Sequence, residues 1–419
     1  MSRGSVLVIG INYSPELTGI GKYSGETGDW LSQEGCRVQV VTAHPYYPEW
    51  RTREGSRPWL FRKESMNGVE VIRCPVYVPR NPNSLRRVFQ DLSFLIGSFL
   101  AVTWLIARGR PFDVVMAVSP SMVSCFTAYW YRLWKPGCKF VVRIMDLQAE
   151  AAGELGMLRR SRMLRWIMDM EAWVLRKSDW VCPITPAMGE SLVLRGVSRM
   201  RTKVFPLWVD FDRVGPADPD PLQMESLGIP DDKKVILYSG AIGEKQGLEV
   251  VVDMAVRFSE EIPELLFVVC GSGPYMEKLK KTAGERGAGN ILFRGLQPEP
   301  VFNQLLNRAW LHLVIQRNTR TESYLPSKLM NIMAVGGLAL VTAYPGTTLH
   351  SIVFDNEAGM LVSEPDAESM SAVVSRLWES PGEADRLRAN ARRYALENLS
   401  KHAVHGAWAL ETGLFGVKR

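Results

Sequence analysis

Ser327 and Lys328 put a hydroxyl and a cation side by side, just after Pro326 and just before Leu329, Ile332 and Met333 at helical spacing. Proline suits the first position of a helix, where its missing N–H costs nothing. The pattern predicts a helix opening at Pro326, with Ser327 and Lys328 in a first turn whose backbone N–H groups lack partners inside the helix. A helix start of this kind is a seat for phosphate oxygens. An ordinary αβ unit with a solvated lysine would carry the same residues, so the chemistry depends on what surrounds the turn.

Three glycine-bearing stretches are candidates for those surroundings. Gly19-Ile20-Gly21 follows a hydrophobic strand, Ser5 to Ile11, and precedes a helix expected from about Tyr23 to Gln33. Gly240 to Gly247 follows the strand Lys234 to Ser239 and includes Gly243 and Lys245. Gly271-Ser272-Gly273 follows the strand Leu265 to Cys270. Glycine lets the backbone come close to something, whether a ligand or another stretch of chain. Asp146 and Glu150, beyond the strand Lys139 to Met145, read either as helix caps or as a catalytic carboxylate with its neighbour.

All of these positions fall where strands end, and open α/β sheets bind ligands at the C-terminal ends of their strands. Buried strands alternate with helices in both halves of the chain, which predicts an α/β fold of two doubly wound, Rossmann-like domains facing each other across a cleft. Residues 205–210 and the proline-rich stretch 215–221 read as the linker. The expected domains are therefore 1–205 and 206–400, with a helix at 401–415 crossing back onto the first. His44 opens the loop His44-Pro45-Tyr46-Tyr47-Pro48-Glu49-Trp50, and long loops of this kind usually bind something.

Composition narrows the partners. The net charge of +6 is uneven: residues 1–205 hold 28 Lys and Arg against 17 Asp and Glu, and the remainder is acidic. A basic half suggests an anionic partner, either a lipid or a diphosphate. No RNA-binding motif, zinc finger or helix-turn-helix accompanies it, so nucleic acid is not expected. The six cysteines form no CxxC pair and read as buried thiols of a reducing compartment, which points to the cytoplasm. No signal peptide is expected, because Val6 to Ile9 is too short an apolar run. Leu92 to Ala107 is the most apolar run; at ~24 Å it falls short of the ~30 Å hydrocarbon core and reads as a core or surface helix. Met157 to Lys177 mixes arginines with tryptophans, which suits peripheral attachment to an anionic bilayer surface.

The stretches Pro15 to Tyr23 (PELTGIGKY), Pro45 to Trp50 (PYYPEW), Tyr238 to Glu249 (YSGAIGEKQGLE), Leu296 to Pro298, Gln316, Pro326 to Leu329 (PSKL) and Pro345-Gly346-Thr347 are familiar together. In this order the chain resembles the retaining family 4 glycosyltransferases of GT-B fold, and more closely the colanic-acid-type fucosyltransferase subgroup of bacterial exopolysaccharide synthesis. The resemblance implies transfer of a sugar, fucose or a related deoxysugar, from a nucleotide-diphosphate donor to a lipid-linked saccharide acceptor, with no cofactor and no metal. It implies that Lys245 and Lys328 hold the donor diphosphate. Gly19 and Gly21 would approach the donor from the first domain, Gly243 would lie in the donor loop, and Gly271, Ser272 and Gly273 would pass beside the nucleoside. His44, Gln316 and Ser327 lie in or beside the shared motifs and are carried over as substrate contacts. The subgroup's acidic junction falls on Asp146 and Glu150, with Asp146 as the catalytic candidate.

The chain also departs from the broader family. The usual glutamate pair falls on Ser323 and Asn331, with Glu322 one position out of register, and Gly240 or Ala241 stands where an arginine is common. Asn331 can still hydrogen-bond sugar hydroxyls, without charge. Two other readings stay open: a GT-B sugar-nucleotide epimerase, and an inactive GT-B scaffold in a polysaccharide assembly complex.

Overall fold

A computed structural model describes residues 4–16, 19–52, 58–81, 83–119, 122–146, 162–316 and 326–414, apart from the side chains of residues 84, 85, 162–168 and 245. The chain divides into two compact units, Met1–Leu207 with Val404–Arg419, and Trp208–Ala403.

Strands of the first unit are β1 (Ser5–Ile9), β2 (Arg37–Ala43), β3 (Arg62–Met66), β4 (Val69–Cys74), β5 (Val114–Val118), β6 (Lys139–Ile144) and β7 (Trp180–Pro183). They lie in the order β3-β4-β2-β1-β5-β6-β7. All neighbours are parallel except the antiparallel pair β3 and β4. The central strands are buried along their length and are accordingly near-continuous apolar runs rich in Val. The helices around them are α1 (Gly19–Gln33), α2 (Ser84–Ala107), α3 (Val123–Trp134), α4 (Arg162–Lys177) and α5 (Pro186–Leu194).

In the second unit the strands are β8 (Lys234–Ala241), β9 (Leu265–Ser272), β10 (Ile291–Arg294), β11 (Ala309–Val314), β12 (Ala339–Thr342) and β13 (Met360–Val362). Their order is β10-β9-β8-β11-β12-β13, parallel throughout. The helices are α6 (Pro221–Ser226), α7 (Glu249–Glu261), α8 (Met276–Glu285), α9 (Glu299–Arg308), α10 (Ser327–Ala334), α11 (Thr348–Asp355), α12 (Ala367–Glu379) and α13 (Pro381–Asn398). In each sheet the order reverses at the first strand: β1 lies between β2 and β5, and β8 between β9 and β11. Crossovers leave such a strand in opposite directions and open a crevice beyond its C-terminal end.

The last helix, α14 (Lys401–Thr412), returns to the first unit. Trp408 stacks on Phe205 at 4.5 Å, and its ring N–H donates to Cys182 Sγ at 3.3 Å. His405 stacks on Trp30 at 4.9 Å. Arg143, fully buried, donates to Thr27 Oγ1 at 2.9 Å and lies over the Phe205 ring at 3.9 Å. Burial pushes this guanidinium down to about 9, and the aromatic face returns part of the lost solvation.

Several expected boundaries move. Helix α1 starts at Gly19 rather than near Tyr23, so Gly19 and Gly21 belong to its first turn. Strands β8 and β9 run on two residues into the expected glycine loops, because Gly240 still pairs with Gly271 and Ala241 with Ser272. Pro326 is the cap residue of α10 and Ser327 its first helical residue. Helix α2 starts at Ser84, where the Asn83 side chain accepts from Arg86 N–H at 2.9 Å. Its 24 residues reach ~36 Å, so the expected shortfall against the bilayer does not hold. Arg86–Ala107 is long and apolar enough to cross a membrane by length and composition.

Candidate functional site

At the reversal point of the second sheet, Lys328 extends from the first turn of α10 to the ring of Tyr238 on β8, with Nζ 4.2 Å from the ring centre. Tyr238 is fully buried and its hydroxyl donates to the Ala241 carbonyl at 2.7 Å, which fixes the ring at the strand's end. A Cβ on Gly240 would stand 3.1 Å from Lys328 Nζ, and the backbone there has φ +139°; glycine clears the path of the amine and permits the conformation. Burial alone lowers the Lys328 ammonium to about 8, with no charged group among the described residues contributing. Among the described residues nothing supplies this lysine with a counter-ion, a role that a bound anion would fill.

Ser327 and Asn331 are both partly buried and, being four residues apart, share one face of α10. The opposite face, Leu329, Met330, Ile332 and Met333, is in the core. Gln316 is held by its backbone: its N–H donates to Thr342 Oγ1 at 2.8 Å, and that hydroxyl lies 3.2 Å from the Gln316 carbonyl. Gly243 donates its N–H to Gln246 Oε1 at 3.1 Å, closing the short turn Glu244–Gln246 that presents Lys245. The side chain of Lys245, and Glu322 and Glu150 entirely, lie outside the described residues.

Gly271 and Gly273 have a local reason of their own. A Cβ on Gly271 would run into the Gly240 carbonyl, and one on Gly273 into the Ile242 carbonyl. Contact between neighbouring backbones therefore requires glycine at both positions without any ligand. Ser272 is exposed at the end of β9, and its carbonyl accepts from Ile242 N–H at 2.9 Å.

In the first unit the strand ends are tied together by Glu16, which is 5% exposed. One carboxylate oxygen accepts from Asn12 Nδ2 at 2.9 Å; the other accepts from the N–H groups of Tyr46 and Tyr47, each at 3.2 Å. Burial raises its pKa, and these donors pull the other way. The segment after β1 and the aromatic loop after β2 are thus held by one carboxylate. Helix α1 fits over it because Gly21, Gly25 and Gly28 face Glu16, Ser14 and Tyr13, where any Cβ would collide. Gly19 (φ +61°) comes close to the exposed Tyr47 ring.

His44 is buried, with Nε2 2.9 Å from the Leu60 carbonyl, so this ring nitrogen holds the far end of the same loop. Asp146 is partly buried beyond β6. Ser119 at the end of β5 accepts from Met145 N–H at 3.1 Å and donates to the Asp146 carbonyl at 3.3 Å. Glu16, Ser119, Tyr238 and Thr342 were not singled out in the sequence. Glu16 and Tyr238 lie inside recognisable motifs, but Ser119 and Thr342 look like ordinary strand-end residues.

Residues 18–208 match the family described as glycosyl transferase 4-like domain, and residues 220–394 the family described as glycosyl transferases group 1. The chain is 37% identical over 407 residues to a putative colanic acid biosynthesis glycosyl transferase, WcaI, of Escherichia coli K12, covering 95% of this chain and 97% of the relative. Among solved structures it is similar to a sucrose-phosphate synthase from Thermosynechococcus elongatus (TM-score 0.74, 17% identity, 99% of this chain and 100% of the other). It is also similar to HepE of Anabaena in complex with UDP and glucose (TM-score 0.69, 12% identity, 98% and 99%). At these identities the structural likeness is one of fold.

Proposed function

We propose, on the premise that this chain belongs to the family 4 glycosyltransferases of GT-B fold, that it moves a sugar from a nucleotide-diphosphate donor onto a lipid-linked saccharide while a bacterial surface polysaccharide is built. The observation that carries the reading is Lys328, a buried ammonium set over the Tyr238 ring at the reversal point of the second sheet. As the glycosidic bond breaks, the departing diphosphate gains negative charge, and a fixed cation beside it stabilises that charge more than the ground state. Lys245, presented by the turn after Gly243, would serve the same group. Ser327 and Asn331 would hydrogen-bond the sugar or ribose, and Gln316 would line the same edge.

Asp146 would serve the acceptor hydroxyl, with Ser119 holding its backbone. The donor class draws support from the UDP in the Anabaena neighbour, and the polysaccharide setting from the name of the E. coli relative. Retention of configuration, a deoxysugar such as fucose, independence from metal, and a cytoplasmic location on the anionic face of the inner membrane complete the reading. A panel of nucleotide sugars in a thermal-shift assay tests it first, since a ligand at 100 times its Kd adds about 2.7 kcal/mol. Transfer to a lipid-linked saccharide extract with the best donor is the second step. Interconversion of the free donor sugar without acceptor would identify an epimerase instead, and binding of no donor at all would favour a scaffold.

A further inference from the structure

Helix α2 is apolar on both faces. Phe94, Ser98, Ala101, Val102 and Leu105 form its buried stripe. On the other side Val88, Phe89, Leu92, Ile96, Phe99 and Leu100 are 38–63% exposed, where a surface helix normally carries polar residues. Ile96 and Leu100 form a ridge between two shallow apolar grooves of about 430 and 580 Å³. One groove is completed by α3 through Trp130 and Leu133, the other by Trp59, Phe61 and Tyr77. Trp59, Trp134 and Leu133 are themselves 54–72% exposed. None of the lining residues belongs to the strand-end site. An uncovered apolar surface of this extent marks an interaction face.

Charge decides what covers it. Asp91 is the one acidic residue of α2. Arg86 and Arg87 are exposed at its start, and Arg108 and Arg110 at its end, where Arg110 pairs with Glu70 at 2.8 Å. The Trp104 ring carries two cations, Lys63 Nζ at 3.7 Å and Arg108 at 4.4 Å. Tryptophans and cations around an apolar centre match the layering of headgroup and hydrocarbon in an anionic leaflet.

We propose that the outer face of α2, with the aromatic residues beside its two grooves, rests in an anionic bilayer leaflet with the helix lying in the membrane plane; the inference rests on the reading of a lipid-borne acceptor. A crossing orientation is disfavoured by two observations. A spanning helix gathers its cations on one side, whereas α2 carries them at both ends. Polar links also fasten it sideways to its own domain: Ser98 Oγ to Thr127 Oγ1 at 3.0 Å, Trp130 Nε1 to Thr103 Oγ1 at 3.2 Å, and Tyr77 N–H to Ser93 Oγ at 2.9 Å. The ridge enters between acyl chains while the grooves on either side receive them. The domain would then be held against the surface at which a lipid-linked saccharide is anchored.

The test uses the full chain and vesicles of phosphatidylglycerol with phosphatidylethanolamine, beside phosphatidylcholine vesicles. Wild-type protein should sediment with the anionic vesicles, and brominated acyl chains should quench its tryptophan fluorescence. The pair Ile96→Glu and Leu100→Glu should weaken vesicle binding by roughly tenfold or more. Phe89→Glu, elsewhere on the same face, should do so as well if the pair disturbs folding. Donor-induced thermal shift should be unchanged in all variants, so loss of donor binding by wild-type protein would defeat the functional reading separately. The proposal is overturned if wild-type protein ignores anionic vesicles at low salt. It is equally overturned if the face variants bind as wild type does, or if wild-type protein is a dimer that these variants dissociate and shows no vesicle binding.

Discussion

Lys328 Nζ lies 4.2 Å from the centre of the Tyr238 ring, although the two residues are ninety positions apart in the chain. The aromatic face partly replaces the water the ammonium has lost, and burial still lowers the group to about 8. Lys328→Ala should therefore reduce turnover at sub-saturating donor by at least tenfold, about 1.4 kcal/mol. Wild-type kinetics in that variant would remove the lysine from the site.

The same lysine sets a pH dependence. A diphosphate favours the charged amine and raises its pKa, so donor binding near pH 8 should take up protons and weaken as the pH rises toward 9. Calorimetry in two buffers of different ionisation enthalpy reads the uptake. Lys328→Arg, which stays charged, should flatten the profile, and equal heats in both buffers would contradict the assignment. The stability effect has the opposite sense. With a folded pKa of about 8 against an ordinary 10.5, the amine's burial penalty is full below pH 8 and is relieved as the pH climbs to 10.5. Lys328→Met should accordingly raise Tm at neutral pH while abolishing donor binding.

Gly271→Ala tests whether this glycine is needed by the sheet itself. Its Cβ would meet the Gly240 carbonyl, so unfolding in denaturant without any ligand should show a loss of about 1–3 kcal/mol. An unchanged midpoint with impaired donor binding would return Gly271 to the ligand.

Glu16→Ala should loosen the first unit, because it leaves the Tyr46 and Tyr47 amides without their acceptor. Buried amides without acceptors cost about 1–3 kcal/mol each. Burial raises the folded pKa of Glu16, so its contribution is fullest below the unfolded pKa and is lost as the pH rises through the folded value. Glu16→Gln should remove that slope while keeping one acceptor oxygen. A slope identical to wild type would mean that another group titrates.

Metal dependence is checked by chelation. Transfer activity after exhaustive EDTA treatment should match that of untreated enzyme, since lysines are proposed to hold the diphosphate. A complete loss restored by Mg²⁺ or Mn²⁺ would assign that charge to a metal ion.

Much of the architecture was legible in local pattern. Buried parallel strands are continuous apolar runs and helices repeat at 3.6 residues, because each of these depends on neighbours in sequence. The strand ends lie further along the chain than the local pattern implies. Ser239 and Cys270 looked terminal because glycine follows each, yet the two glycine segments pair with one another and prolong both strands. The continuous apolar run of α2 opens only at Leu92, after Gln90 and Asp91, whereas the helix itself opens eight residues earlier at Ser84, where Asn83 caps it.

The sequence by itself determined which stretches form buried strands and which residues carry charge, since burial period and side-chain chemistry are properties of the local chain. Only the tertiary structure decided what those residues meet. It brought Lys328 onto Tyr238, made Glu16 the common acceptor for two loops, and left one apolar face of α2 uncovered while the other was packed. The physical reason is that desolvation, hydrogen-bond partners and exposure are set by groups distant in the chain, whose approach a linear pattern does not encode.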